Sequence, residues 1–270
     1  LRQSIERQLI SDVPLGTFLS GGVDSTAVTH FALERLKKLD AFTIDTNESQ
    51  NADLNFAKSF VDSKNINLNI VKTTPSITDD LDQILYFLDE PQADPAIAST
   101  FYISKLAAEK GIKVLLSGTG GDDIFSGYRR HQALKLSGFL PNKLEKFAQK
   151  ITSFFPLQHN FLRRVSKALE YSHLRGDKRI ISYFFWLNPE FVMDVMIKEI
   201  SSNLSYDDFF NPFEAELSNV TSSTDNLDKM LHLEKRFFLM DHNLNYTDKM
   251  SMAHGVEVRV PFLDNELHEF

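Results

Sequence analysis

The chain has 270 residues, of which 42% are hydrophobic and 24% are charged, as in an ordinary folded globular protein. It contains no cysteine, which excludes disulfides, zinc–thiolate sites, iron–sulfur clusters and a cysteine nucleophile within these residues. A formal net charge of −8 disfavours non-specific binding to nucleic acid. No apolar run has the length of a membrane span and no signal-peptide core is visible, so we expect a cytoplasmic protein without membrane partners.

Strand-like and helix-like segments alternate in the first half of the chain. We predict helices over residues 1–10, 24–39, 51–63, 76–88 and 95–111, and strands over residues 13–19, 41–45, 67–71 and 113–116. This alternation indicates βαβ units and a mostly parallel sheet. In such sheets ligands bind at the carboxyl ends of the strands.

The alternation stops near residue 128. We predict a helical region, with helices over 142–155 and 230–239 and with loops within 201–228. The last residues are predicted to form a helix end, a loop and an extended return to the core. We therefore divide one domain into an α/β core (1–127), a helical region (128–247) and a return segment that closes the site (248–270).

Several charged side chains are assigned structural positions from their spacing. Glu257 and Arg259 alternate with valines and share one face of an extended segment, so we expect an ion pair, with a role in the site as the alternative. Arg129 and Arg130 are expected at the surface. The eight histidines lack the spacing of metal ligands and are expected at surface or core positions.

Two glycine-rich turns follow predicted strands, at residues 20–25 (Ser-Gly-Gly-Val-Asp-Ser) and 117–123 (Ser-Gly-Thr-Gly-Gly-Asp-Asp). Glycines let the backbone approach a ligand closely, and the start of the next helix presents N–H groups that suit a phosphate. Asp24 and Asp122 can hold Mg²⁺ between them and the phosphates. The first turn has neither a Walker lysine nor a GxGxxG pattern. The alternatives are a capped tight turn at 20–25 and a helix N-cap at Asp122.

The turn at 20–25 resembles the pyrophosphate loop of the ATP-pyrophosphatase superfamily, whose members cleave ATP between the α and β phosphates. Residues 9–16, 88–91, 117–122 and 256–264 follow in the order typical of the synthetase domain of glutamine-hydrolysing asparagine synthetases. The resemblance spans residues 1–264. It implies a Rossmann-like parallel sheet of the adenine nucleotide α-hydrolase type with an added C-terminal helical region.

The resemblance also implies a site and a reaction. Asp24 and Asp122 would ligate Mg²⁺, Lys249 would face the phosphates unless it is a solvated helix-end lysine, and Glu90 would lie near the acceptor. The enzyme would adenylate a carboxylate, by default aspartate, and release pyrophosphate, after which ammonia from a glutaminase domain forms the amide. ATP would contact Leu19, Ser20, Gly21, Gly22, Asp24, Ser25, Ile44, Ser117 and Gly118, with the adenine near Ile44.

The chain departs from the family pattern in three places. Thr119 stands where members usually carry glutamate, and threonine is no base at neutral pH. This leaves open a different carboxylate, such as a sugar acid, and an ATP-binding regulatory module without catalysis. The glutaminase domain and a pyrophosphate-binding lysine beyond residue 264 are not within the chain, so we expect a fragment with poor or absent turnover alone. The oligomeric state stays open.

Overall fold

The computed structural model describes residues 1–45, 52–62, 64–72, 80–90, 92, 94–137, 171, 173–221 and 224–269. The chain forms two compact units, Leu1–Phe125 with Phe237–Phe270, and Ser126–Arg236. The first unit is therefore built from both ends of the chain. The predicted division at residues 127 and 247 remains a prediction. No helix in the described part of the chain is long and apolar enough to cross a membrane.

A parallel sheet forms the centre of the first unit. Its five strands lie in the order β3-β2-β1-β4-β5, and every neighbouring pair is parallel, which confirms the predicted α/β fold class. The elements are α1 (Arg2–Gln8), β1 (Leu15–Phe18), α2 (Val23–Arg35), β2 (Leu39–Asp45), α3 (Ala52–Val61), β3 (Ile66–Lys72), α4 (Leu81–Phe87), α5 (Ala96–Glu109), β4 (Val114–Leu116), α6 (Gly121–Phe125), a helix Asn245–Met252, β5 (Glu257–Arg259) and a helix Asn265–Glu269.

The strand order reverses direction beside β1. The chain runs outward from β1 to β2 and β3, and then returns to place β4 on the other side of β1. The carboxyl ends of β1 and β4 are therefore adjacent, with Thr17 paired to Leu116. A reversal of this kind leaves a crevice between the loops that follow the two strands, which is where open α/β sheets bind ligands.

Apolar side chains cover both faces of the sheet. Leu116 is fully buried in one cluster with Val28 of α2, whereas Leu115 is fully buried in another with Phe42 and Ile103. Successive strand residues point to opposite faces, so burial of both neighbours requires helices on both sides. This packing fixes β4, and with it the loop that follows.

One helix boundary differs from the prediction. The helix predicted over 24–39 ends at Arg35, and Leu36 already has an extended backbone with φ −104° and ψ 134°. Leu39 begins β2, is 1% exposed and donates its N–H to the Asn65 carbonyl. Leu36 and Leu39 have helical spacing, but strand pairing determines their conformation. The predicted helix over 142–155 and residues 76–79 of another lie outside the described residues.

The described part of the second unit is helical, as predicted. The stretch predicted to contain loops, 201–228, also contains a 3₁₀ turn and parts of helices. The described elements are α7 (Arg129–Ser137), the helices Gly176–Ile181, Pro189–Val195, Lys198–Ser201, Asn211–Leu217 and Asn226–Leu233, and the 3₁₀ turns Ser182–Phe184 and Tyr206–Phe209.

Arg130 is not the surface residue that the sequence predicts. Its guanidinium donates through Nε and Nη2 to the carboxylate of Glu234, which is fully buried. The Nε2 atom of buried His131 lies 3.0 Å from the same carboxylate. A buried carboxylate needs such partners because burial removes its water. Arg129, by contrast, is exposed as expected.

Hydrogen bonds and an ion pair join helix α1 to residues 259–264. The Ser4 hydroxyl donates to the Pro261 carbonyl at 2.6 Å, and Arg7 bonds Asp264 at 2.7 Å. Arg259 pairs with Glu257 at 2.7 Å, which confirms the predicted ion pair. The same guanidinium donates to the carbonyls of residues 8 and 10, at 2.6 and 2.8 Å. These contacts hold β5 against the start of the chain.

Candidate active site

A cavity of about 400 Å³ lies at the carboxyl ends of β1 and β4. Its lining comes from the β1–α2 loop, the β4–α6 loop, helix α5 and the helix Asn245–Met252. The lining residues are Phe18, Ser20, Gly22, Val23, Asp24, Ser25, Thr100, Ser117, Gly118, Thr119, Asp122, Tyr246 and Thr247. Both glycine-rich turns therefore face one cavity, as predicted from their positions after strands.

The β1–α2 loop is a tight turn held by its own hydroxyl groups. The Oγ atoms of Ser20 and Ser25 lie 3.0 Å apart, and the Gly22 N–H donates to Ser20 Oγ at 3.3 Å. Gly21 has φ +90°, and a Cβ there would lie 2.1 Å from the Asp53 carbonyl oxygen. The turn therefore requires glycine, and it leads directly into α2, whose first N–H groups lack intrahelical partners.

The β4–α6 loop packs on the first loop through two glycines. A Cβ on Gly118 would lie 2.7 Å from the backbone nitrogen of Ser25, and a Cβ on Gly121 would lie 2.4 Å from Asp24 Oδ2. These spaces leave no room for a methyl group. The glycines therefore bring the Asp24 carboxylate against the start of α6, where Asp122 is the second residue. Since α6 begins at Gly121, Asp122 lies inside the helix and is not its N-cap.

The two carboxylates repel each other in the absence of a cation. Burial, and after it the charge of Asp122, raises the pKa of Asp24 above its ordinary value. Asp122 is exposed. A bound cation would reverse the effect, because a positive charge favours both ionised carboxylates.

Replacing Asp24 by asparagine is expected to stabilise the ligand-free protein at neutral pH. The pKa of Asp24 is higher in the folded state than in the unfolded state, so protonation of Asp24 stabilises the fold. This stabilisation is complete below the unfolded-state pKa of about 3.9, and it is lost as the pH rises through the folded-state pKa. The variant should therefore melt higher than the wild type at pH 7. Melting curves across pH check this, and the difference should shrink as the pH falls towards the ordinary aspartate range. A lower melting temperature for Asp24→Asn at pH 7 would contradict it.

The donor set fits Mg²⁺ bound together with a nucleotide. Mg²⁺ commonly keeps several waters and takes one or two carboxylates plus substrate phosphates. Asp24 and Asp122 are two such carboxylates, and the described residues hold no group of three or more His, Cys, Asp or Glu side chains that could bind a metal alone. The two carboxylates therefore suit an ion that is bound jointly by the protein and the phosphates of a nucleotide.

Five of the predicted site residues do not line the cavity, and one of them, Glu90, is exposed. Leu19 is fully buried behind the loop against Ala41, Ile44 packs in the cluster of Phe42, and Gly21 shapes the turn from the α3 side. Lys249 pairs with Asp89 at 2.5 Å, and that bond raises the pKa of the lysine. The roles proposed for these residues stay predictions.

Three residues that line the cavity lie in helices and belong to no sequence motif. Thr100 lies three positions from both Ile97 and Ile103, so it places a hydroxyl between two buried apolar side chains of α5. Tyr246 and Thr247 follow a π-helical segment, Glu234–Leu244, that the sequence does not predict. Polar groups on a buried helix face are the signal that points to such positions.

The chain is similar to known proteins over most or all of its length. The family model of asparagine synthase matches residues 1–270. The chain is 30% identical over 268 residues to asparagine synthetase [glutamine-hydrolyzing] 1 of Bacillus subtilis (strain 168), covering 97% of this chain and 40% of that protein. It is 28% identical over 274 residues to a putative asparagine synthetase [glutamine-hydrolyzing] of Mycobacterium bovis, covering 99% and 40%. The U34-tRNA thiolase NcsA from Methanococcus maripaludis matches with a TM-score of 0.36 and 15% identity, covering 89% of this chain and 78% of that chain.

The parallel sheet and its two glycine-rich loops define an α/β protein whose cavity lies at the carboxyl ends of β1 and β4. Within that class, the chain belongs to the asparagine synthase family. It spans about 40% of the length of the curated relatives cited above.

Proposed function

We propose that the cavity binds ATP with Mg²⁺ and that the protein uses it to activate a carboxylate for amide formation. The observation that carries the proposal is the contact of the two loops through Gly118 and Gly121, which sets Asp24 beside Asp122 at the start of α2. Membership of the asparagine synthase family supports the same chemistry.

The nucleotide site follows from the donors that face the cavity. The first N–H groups of α2, with the hydroxyls of Ser20, Ser25 and Ser117, are suited to phosphate oxygens. Asp24 and Asp122 would hold Mg²⁺, which would supply positive charge to neutralise the phosphates. Ile44, which is half-buried, would border the adenine, whereas Leu19 is fully buried beneath the loop. Lys249 would reach the phosphates only by leaving Asp89.

The reaction has two steps. A carboxylate oxygen attacks the α-phosphorus of ATP, and the bond from that phosphorus to the bridging oxygen breaks as pyrophosphate leaves. Ammonia then attacks the acyl carbon, the bond from that carbon to AMP breaks, and a proton passes to water. The protein contributes by positioning the reactants and stabilising charge. A glutaminase domain is the proposed source of ammonia, since the relatives are named glutamine-hydrolysing.

Aspartate is the first candidate acceptor because the relatives are named asparagine synthetases. Thr119 supports a second candidate, a different carboxylate such as a sugar acid. Its Oγ1 lies 2.7 Å from Ser117 Oγ and its N–H donates to the same hydroxyl, so it presents a neutral group to the cavity. A panel with L-aspartate, L-glutamate and D-galacturonate, scored by AMP release, distinguishes these acceptors.

Exchange of labelled pyrophosphate into ATP tests the proposal. The complete natural polypeptide that contains these residues is expected to catalyse exchange only when an acceptor carboxylate is present, because exchange requires reversible adenylation. Reactions without a carboxylate are the control. MgATP binding with neither exchange nor AMP release across the acceptor panel would contradict the enzyme and favour a regulatory ATP-binding module.

A further inference from the structure

Tyr246 enters the cavity from a helix that carries neither glycine-rich loop. The helix Asn245–Met252 packs on α4 and α5, where Met250 lies in an apolar cluster with Ile84, Ile97 and Phe101. Tyr246 is partly buried against that cluster and also lines the cavity. Its ring is therefore held by apolar packing at a position separate from the groups assigned to the phosphates.

A histidine and a carboxylate hold the other side of the ring. His242, in the π-helical segment, lies 2.9 Å through Nε2 from Asp94 Oδ2. Asp94 is itself fixed, because its Oδ1 accepts the N–H of Ala96 at the start of α5. The His242 and Tyr246 rings meet edge to face, with centroids 5.3 Å apart. π-Helical turns occur frequently at functional sites, and this one sets the Tyr246 ring against a fixed imidazole.

The surroundings keep the proton on Tyr246. Burial, and then the charges of Asp94 and Asp123, raise the pKa of the phenol. Asp123 is 1% exposed and accepts a hydrogen bond from Asn243. Tyr246 therefore keeps its proton at physiological pH and is able to donate a hydrogen bond.

Amide formation needs a hydrogen-bond donor at the acyl carbon. When ammonia attacks the acyl carbon, negative charge develops on the former carboxyl oxygen, and a fixed donor aimed at that oxygen lowers the barrier. The N–H groups and serine hydroxyls of the loops are assigned to phosphate oxygens, and the phenol lies outside that set. A tyrosine hydroxyl is one of the groups that can stabilise an oxyanion.

We propose that Tyr246 donates a hydrogen bond to the oxyanion formed on the acceptor's acyl carbon, and so is a catalytic residue of the amide-forming step. His242 and Asp94 are positioning residues for its ring. The proposal rests on the proposed function, since it concerns the second step of that reaction.

The test is Tyr246→Phe in the complete polypeptide, which removes the hydroxyl and keeps the ring. With ammonium chloride and the acceptor that supports exchange, the kcat of amide formation is expected to fall about 100-fold, the scale for loss of one oxyanion donor. Pyrophosphate exchange and MgATP affinity should be retained. Tyr86→Phe is the matched control, because Tyr86 is 82% exposed on α4, and it should change neither activity.

The outcomes separate the two proposals. Unchanged amide formation in Tyr246→Phe overturns the role of Tyr246, and so does an equal loss of exchange and amide formation. If the wild-type protein shows no exchange, the proposed function fails and this inference fails with it. Should Tyr246→Phe melt early, the pyrophosphate exchange of the same preparation measures its folded fraction, and amide formation is divided by that exchange. A ratio equal to that of the wild type overturns the role of Tyr246.

Discussion

Replacing Gly118 by alanine is expected to lower the affinity for MgATP about 100-fold. The new Cβ would lie 2.7 Å from the backbone nitrogen of Ser25 and 3.0 Å from the carbonyl carbon of Asp24, so the two loops must separate. Separation misplaces the first N–H groups of α2, and charge-assisted hydrogen bonds are worth about 1.5–3 kcal/mol each. Isothermal titration with MgATP measures the loss.

Gly111→Ala is the matched control for the Gly118 experiment. Gly111 has φ +78° at the end of α5, with no heavy atom within 4 Å of an added Cβ. Alanine there costs about 1–2 kcal/mol of stability through backbone strain, and it should leave MgATP affinity unchanged. Equal losses of affinity in the two variants would show that Gly118→Ala acts through general destabilisation.

Replacing Asp24 by asparagine is expected to weaken MgATP binding by about 10- to 100-fold, the scale of one charge-assisted contact. Binding of ATP without Mg²⁺ should be unchanged or tighter, because the substitution removes a negative charge from beside the phosphates. Weaker binding of MgATP together with unchanged or tighter binding of metal-free ATP would show that Asp24 is a metal ligand. A purely structural role of Asp24 would weaken both. Titrations in Mg²⁺ and in EDTA give both values.

Asp82→Asn provides the comparison for that experiment, since Asp82 is an exposed residue in the first turn of α4. It removes the same charge from the protein outside the cavity, and its affinity for MgATP should equal that of the wild type. If Asp24→Asn binds MgATP as tightly as Asp82→Asn does, Asp24 is not a ligand of the bound metal.

Local patterns predict much of the sheet because its strands are short apolar or alternating runs between polar turns. The strand after Pro14 and the strand before Ser117 are found close to their predicted positions. The end of α2 is not predictable in this way, because Leu36 and Leu39 suit a helix face and a buried strand equally. Leu39 becomes part of a strand because its N–H bonds the carbonyl of Asn65, which is distant in sequence. The π-helix is missed because apolar spacing of three and four residues does not distinguish it from an α-helix.

The residues that the two glycine-rich loops contribute to the site are predictable from the sequence. The residues that the helices contribute are not. Gly118 and Gly121 stand in a motif whose composition demands close backbone approach, and the structure shows that approach at Asp24. Tyr246 and Thr100 reach the cavity through the packing of the helix Asn245–Met252 on α5, which depends on tertiary contacts. Arg130 is misassigned for a similar reason, since its partner Glu234 is 104 positions away.

The contact between α1 and the last strand has a consequence for folding. The hydrogen bond from Ser4 to Pro261 joins residues 257 positions apart, and β5 completes the sheet beside β4. During synthesis the outer edge of β4 therefore stays unpaired until residues 257–259 have left the ribosome. Contacts of such long sequence separation form slowly, and an unpaired edge can recruit strands from other chains. The nascent first unit thus carries an incomplete sheet until β5, which follows the whole second unit along the chain, has been synthesised.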